Sequence, residues 1–190
     1  MGRDKALIEI QGAALISRLV ATLGEVAGAG VVVVAAPEQA LPALPSFVEV
    51  VRDGVAWQGP LRALAQGLRA SAPAATRVFA CATDLPALQP SVARRVAALL
   101  EHHDAAIPEI GGFPQLLAAA YARRAGAVAE ALIDEGERSL RSLAARLDAR
   151  SVTAPELLAD PDVREGDPEL TSFLDVDTPE ELAAALARLH

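Results

Sequence analysis

Three short segments place carboxylates where an apolar run gives way to a loop. Asp84 follows residues 77–82 in Cys81-Ala82-Thr83-Asp84-Leu85-Pro86. Asp53 follows residues 48–51 in Arg52-Asp53-Gly54. Asp175 and Asp177 border residues 173–176 in Leu174-Asp175-Val176-Asp177-Thr178-Pro179. If those runs are strands of a parallel sheet, the carboxylates lie at strand ends, where open α/β sheets bind their ligands. A carboxylate beside a nucleotide can hold Mg²⁺, a hard cation that takes oxygen ligands and bridges substrate phosphates. An aspartate at such a place can equally cap the next helix or tie a turn. Asp84 is set apart from that simpler role because Leu85-Pro86 and Gln89-Pro90 separate it from the next helical pattern. Lys5 is the chain's lone lysine, every other basic position being arginine.

The elements that would position these residues alternate between short β-like runs and longer amphipathic stretches, the pattern of βαβ units. Strands are expected at residues 31–35, 48–51, 77–82, 116–121 and 173–176. Helices are expected at residues 14–23, 61–70, 91–102, 125–134 and 139–147. Pro60 is suited to the first turn of its helix. A last helix is expected to open at Thr178-Pro179-Glu180-Glu181, with Thr178 as N-cap and Glu181 three residues on. Residues 155–171, rich in Asp, Glu and Pro, read as a polar excursion, and residues 1–190 as one domain without internal repeats.

With 190 residues the chain is long enough for one substantial core. Apolar residues make up 52% but aromatics only 3%, so that core must be Ala, Val, Leu and Ile, as in helices packed on a parallel sheet. A formal charge of −8 disfavours a duplex nucleic-acid binder and leaves a nucleotide substrate open. One cysteine, Cys81, excludes an intrachain disulfide and fits a reducing cytoplasm. Met1-Gly2-Arg3-Asp4 does not read as a signal peptide, and no apolar run reaches membrane-spanning length. His102-His103-Asp104, read as a helix end, would point its rings in different directions. Ser139 belongs to no nucleophile motif, and no strand is followed by G-x-G-x-x-G.

The opening Met1-Gly2-Arg3-Asp4-Lys5 resembles the second half of the MobA-like nucleotidyltransferase signature, L-A-G-G-x-S-x-R-M-G-x-D-K. Further matches follow in family order: Asp53 in a nucleotide-contacting loop, Gln58-Gly59-Pro60-Leu61 for the G-P-L turn, and Thr83-Asp84-Leu85-Pro86 for the metal-binding aspartate. Gly112-Phe113-Pro114-Gln115 and Tyr121 resemble a P-Q segment before a strand ending in Tyr, and Gly136-Glu137-Arg138 a G-E-R segment. Asp175-Val176-Asp177-Thr178-Pro179-Glu180-Glu181 resembles the closing N-V-N-T-P-E-E or D-V-D-T-P-E-D motif. The resemblance implies a Rossmann-like three-layer α/β sandwich with a mostly parallel central sheet, of the nucleotide-diphospho-sugar transferase type. It also implies that a first strand and glycine-rich phosphate loop belong before Met1, the start being the internal Met of R-M-G.

The reaction implied is transfer of GMP from GTP to the phosphate of molybdopterin, giving molybdopterin guanine dinucleotide and pyrophosphate. By the same resemblance Lys5 and Asp84 are catalytic. Gly2, Lys5, Asp53, Gly59, Pro60 and Asp84 bind the nucleotide; Asp175, Asp177 and Arg138 meet the acceptor; Asp84 and Asp177 hold Mg²⁺. Asp at both Asn positions of N-V-N resembles the cytidylyltransferase branch, whereas Asp4-Lys5 resembles the guanylyl branch. GTP is therefore the expected donor, with CTP, a different phosphorylated acceptor, or an inactive binding relative as alternatives. A cytoplasmic monomer or weak oligomer is expected, with molybdoenzymes or their chaperones as possible protein partners and no nucleic acid or membrane.

Overall fold

The computed structural model describes residues 7–10, 12–52, 54 and 59–176. β1 (Glu9–Ile10) and β2 (Ala13–Ala14) form a small antiparallel hairpin that leads straight into α1 (Leu15–Gly24). Leu15, Ile16, Leu19 and Val20 of α1 are buried, one apolar stripe at helical spacing. β3 (Val31–Ala35) is a β-branched run that packs through alternate residues. It pairs in parallel with β4 (Val48–Arg52), Val31 opposite Val48 and Ala35 opposite Arg52.

After α2 (Pro60–Ala70) come β5 (Arg77–Cys81), α3 (Pro90–Ala98), β6 (Ala105–Ile110), β7 (Phe113–Pro114) and β8 (Ala118–Ala122). α4 (Ala125–Asp134), α5 (Leu140–Arg146), β9 (Ala149–Thr153), α6 (Ala154–Leu158) and α7 (Pro161–Gly166) follow, then a 3₁₀ turn at Thr171–Phe173. The second sheet has the order β5-β8-β6-β7, with β9 added in parallel to β6. β5 and β6 both run antiparallel to β8, and hence in the same direction as each other.

Small side chains make the layers close. β8 reads Ala-Ala-Ala-Tyr-Ala and is buried throughout. Ala118, Ala120 and Ala122 face a core shared with α3, α6 and α7, while Ala119 and Tyr121 face a core shared with α2, α4 and α5. The sheet is thus covered on both faces, the three-layer α/β arrangement expected. Tyr121 is accommodated because its hydroxyl donates to the Leu116 carbonyl at 2.8 Å.

Four expectations need correction. The strand at residues 173–176 does not form: Thr171–Phe173 is a 3₁₀ turn, and the chain beyond it joins no described ladder. The helix expected at residues 91–102 stops at Ala98, and Glu101 turns left-handed (φ 47°) to send the chain into β6. Residues 155–171 are not a plain excursion, since they form α6 and α7 and bury Leu157 and Val163 completely. The strand expected at residues 116–121 begins two residues later, at Ala118.

α6 is anchored by a reciprocal cap. Glu156 accepts from the Thr153 N–H at 2.9 Å, from the Thr153 hydroxyl at 2.7 Å and from Arg150 at 2.8 Å. The Thr153 bonds and then Arg150 hold the Glu156 carboxyl down at about 2, against an ordinary value of 4.5. A depressed folded-state value contributes stability above pH 4.5 that is lost as pH falls towards 2. Thermal midpoints measured from pH 6 to pH 2 should fall less steeply in Glu156→Gln than in the parent.

Candidate functional site

β5 ends at Cys81, and the turn after it carries Asp84, half-buried. The Asp84 carbonyl accepts a hydrogen bond from the Val176 N–H at 3.1 Å. That single backbone bond brings two sequence-distant segments together, the T-D-L-P turn and the start of D-V-D-T-P-E-E. Asp175 is exposed beside it. The Asp84 charge also reaches Cys81: burial foremost, then Asp84, push the Cys81 thiol up to about 12. Cys81 is thereby kept a thiol, without nucleophilic character.

A buried polar knot holds the two segments in place. Asp167 is 2% exposed. It accepts from the Thr171 N–H and hydroxyl, both at 2.7 Å, and from the Ser172 N–H at 2.9 Å. The fully buried Ser172 hydroxyl in turn accepts from the Gln89 N–H at 3.0 Å and donates to the Ala87 carbonyl at 3.4 Å. Leu85, Leu88, Leu170 and Phe173 share one core beneath it. Asp167 and Ser172 were not singled out in the sequence. No local pattern signals them, because the Asp167 bonds reach four and five residues on, beyond the two-residue reach of an Asx turn.

Three further candidate residues, Gly59, Pro60 and Arg138, meet at one place. Gly59 has φ 85° and ψ 169°, a conformation open essentially to glycine alone. A Cβ there would stand 3.3 Å from the Arg138 carbonyl oxygen and 3.4 Å from its Cβ. Pro60 then opens α2. The meeting follows from topology. β8 runs against its neighbours, so α4 travels back towards the carboxyl ends of β4 and β5, and the turn before α5 arrives beside Gly59. Arg138 is exposed there, where the amino end of α2 favours anions. Gly59→Ala should cost roughly 1–3 kcal/mol through backbone strain alone, with the Arg138 contact adding to it. Denaturant unfolding measures the loss, and a fall in nucleotide affinity should accompany it.

A cavity of about 1020 Å³ reaches this edge, where Pro60, Ala82 and Thr83 line it. The structure thus joins Asp84 with Asp175, and Gly59 and Pro60 with Arg138. Gly2, Lys5, Asp53 and Asp177 lie outside the described residues. The histidine pair is a different feature. Because α3 ends early, His102 and His103 sit in a turn with ring centroids 4.3 Å apart, not splayed on a helix. With Glu101 they bring ligand atoms within 4.8 Å of one another. Glu101 is ion-paired with Arg150 at 3.2 Å, and His103 Nδ1 lies 3.0 Å from an Asp148 carboxylate oxygen, at the start of β6 and away from the Asp84 edge.

A family model described as the MobA-like NTP transferase domain matches residues 1–151. A "probable molybdenum cofactor guanylyltransferase" of Mycobacterium tuberculosis (strain ATCC 25618 / H37Rv) is 38% identical over 153 residues, 78% of this chain and 75% of the relative. A protein of the same name from Mycobacterium avium (strain 104) is 34% identical over 159 residues, 82% of this chain and 80% of the relative. Among solved structures, molybdopterin-guanine dinucleotide biosynthesis protein A from Archaeoglobus fulgidus superposes with a TM-score of 0.71 at 22% identity, covering 97% of this chain and 89% of that one. The 2-C-methyl-D-erythritol 4-phosphate cytidylyltransferase from Thermus thermophilus superposes with a TM-score of 0.70 at 17% identity, covering 97% of this chain and 93% of that one. These last two establish the shared fold.

Proposed function

This chain belongs to the MobA-like NTP transferase family, and from that premise we propose that it transfers GMP from GTP to the phosphate of molybdopterin. An oxygen of the acceptor phosphate attacks the α-phosphorus of GTP. A new P–O bond forms as the bond from the α-phosphorus to the bridging oxygen breaks, and pyrophosphate leaves with that oxygen. The observation that carries the reading is the Val176-to-Asp84 backbone bond, which brings Asp175 beside the Thr83-Asp84-Leu85-Pro86 turn at the end of β5. The name shared by the two mycobacterial relatives points to the same acceptor and donor.

Such chemistry depends on positioning and charge neutralisation more than on a protein nucleophile. The half-buried Asp84 carboxylate and the exposed Asp175 beside it offer only oxygen donors, a set that suits Mg²⁺. Asp84 would hold the ion, with Asp177 completing the set. When bound, Mg²⁺ supplies neutralisation of charge on the phosphates. Asp53, Gly59 and Pro60 would contact the nucleotide, Gly2 and Lys5 its phosphates, and Arg138, Asp175 and Asp177 the anionic acceptor. We place the reaction in one domain, acting in the cytoplasm and handing its product to molybdoenzymes or their chaperones. No described helix is long and apolar enough to cross a membrane.

The D-V-D form at Asp175-Val176-Asp177 supports a second reading, with CTP as donor. Competition binding in Mg²⁺ separates the two. Unlabelled GTP should displace labelled GTP far more readily than CTP does. Preference for CTP would transfer the assignment to a cytidylyltransferase.

A further inference from the structure

The turn after α3 carries donor chemistry that a reaction at the Asp84 edge does not use. One carboxylate oxygen of Glu101 and one ring nitrogen from each of His102 and His103 lie within 4.8 Å of one another. On a continuing helix, neighbouring residues would point roughly 100° apart. Here the helix has already ended at Ala98, and Glu101 takes φ 47°, a left-handed conformation uncommon outside glycine. The two imidazole rings therefore stand 4.3 Å apart between centroids, tilted by 31°.

The backbone of this turn is tied on several sides. The His103 N–H donates to the Leu100 carbonyl at 2.9 Å. Arg124 donates to the His102 carbonyl at 2.7 Å and to the Asp104 carboxylate at 2.6 Å. Asp104 accepts from the Asp148 N–H at 3.1 Å, and its own N–H donates to the Asp148 carbonyl at 2.9 Å. The donors are thus presented on an ordered frame, so binding a ligand there has little backbone ordering left to supply.

We propose that Glu101, His102 and His103 form a binding site for a borderline divalent transition metal, Zn²⁺ foremost, with Asp148 as a positioning residue behind His103. The donor set selects the ion. Imidazole suits Zn²⁺, Ni²⁺ and Cu²⁺, whereas Mg²⁺ and Ca²⁺ take oxygen sets. Two nitrogens and one carboxylate oxygen make three protein ligands, and water completes a tetrahedron. Donors around a tetrahedral Zn²⁺ stand roughly 3.3 Å apart. From a spread of at most 4.8 Å they must draw in by about 1.5 Å, which rotation of the exposed Glu101 and His102 side chains can supply.

The surroundings agree with that set. His103 Nδ1 lies 3.0 Å from an Asp148 carboxylate oxygen. A ring whose Nδ1–H is given to a carboxylate offers the Nε2 lone pair to a metal, with its orientation fixed and its basicity raised. Glu101 is paired with Arg150 at 3.2 Å. When Glu101 turns to the metal, Arg150 keeps Glu156 at 2.8 Å and the Leu99 carbonyl at 3.1 Å, so no charge is stranded. β5 and β6 run in the same direction. Asp84 follows the end of β5 and residues 101–104 precede the start of β6, so the two lie at opposite edges of the sheet. A metal here would clamp the exit of α3 to the entries of β6 and β9 and take no part in the transfer step.

The test is a calorimetric titration of the tag-free, chelator-stripped protein with ZnCl₂, in excess MgCl₂ to fill oxygen-only sites. One saturable equivalent of Zn²⁺ per chain is expected, with a raised thermal midpoint and slower amide exchange at the start of β6 and β9. His102→Gln and His103→Gln should each abolish that equivalent. His102→Gln, at an exposed position, should keep the metal-free thermal midpoint, which separates a lost ligand from a lost fold. Asp148→Ala should weaken Zn²⁺ binding by about 10–100-fold. His190→Gln, at the chain's remaining histidine, should leave the titration unchanged. A folded parent protein with no saturable Zn²⁺ binding would overturn the proposal. So would binding that survives both His102→Gln and His103→Gln, or that is lost only in His190→Gln. None of these readouts depends on catalysis.

Discussion

Asp84→Asn should lower nucleotidyl transfer by about three orders of magnitude, as expected when a group neutralising phosphate charge is removed from a transition state. The substitution keeps the side chain's shape. It also leaves the Asp84 carbonyl free to accept from Val176, so circular dichroism and the thermal midpoint should change little. A second signature is independent of turnover. The negative charge at position 84 is the lesser of two causes raising the Cys81 thiol, so the variant's thiol should ionise at lower pH in native alkylation. Transfer that stays within about tenfold of the parent would remove Asp84 from the catalytic role.

Asp167→Ala should be the most damaging single change for stability outside the hydrophobic core. It would leave the Thr171 N–H and hydroxyl and the Ser172 N–H without the acceptor they share, in a spot where Asp167 is 2% exposed and Ser172 fully buried. Orphaned buried donors cost about 1–3 kcal/mol each, and a loss of roughly 3–5 kcal/mol is expected from urea unfolding. The effect should also reach the site, because Asp167 positions the chain that carries Asp175 to Asp84. At a temperature where the variant is still folded, the KM for the acceptor should rise more than the KM for the nucleotide. Thr171→Val removes only the hydroxyl and should cost distinctly less.

Those two residues show what the sequence made readable. Asp84 stood out because it follows a short apolar run and is set apart from the next helix by Leu85-Pro86 and Gln89-Pro90. Asp167 did not, because its function depends on a fold-back onto Thr171 and Ser172 that no periodicity announces. Among the elements, β3 and β4 were clear, being short and rich in valine, β5 stood out as a short apolar run, and α1, α2 and α4 were placed within a residue. β6 was obscured by Pro108, which the structure tolerates at a strand position where its carbonyl instead accepts from Gln115. β9, Ala-Arg-Ser-Val-Thr, buries only Val152 and so lacked an apolar signal. The run at residues 173–176 has strand composition, but the Asp167 knot turns its first residue into a 3₁₀ turn and leaves Val176 to bind Asp84.

Of the expected strand-end carboxylates that the structure describes, only Asp84 follows a strand, β5, as the sequence suggested. The meeting of Gly59 with Arg138 was not legible, because it depends on β8 running antiparallel and returning α4 to the carboxyl ends of β4 and β5. Alanine-rich β8 gives no directional cue, and its direction is set only by pairing with β5 and β6.

The most direct measurement of the central claim is acceptor-dependent pyrophosphate release from GTP, in Mg²⁺, by the folded protein. Release should need molybdopterin and transfer the label of α-phosphate-labelled GTP to it in equal amount. A folded protein that releases no pyrophosphate from GTP or CTP in the presence of molybdopterin would contradict the claim.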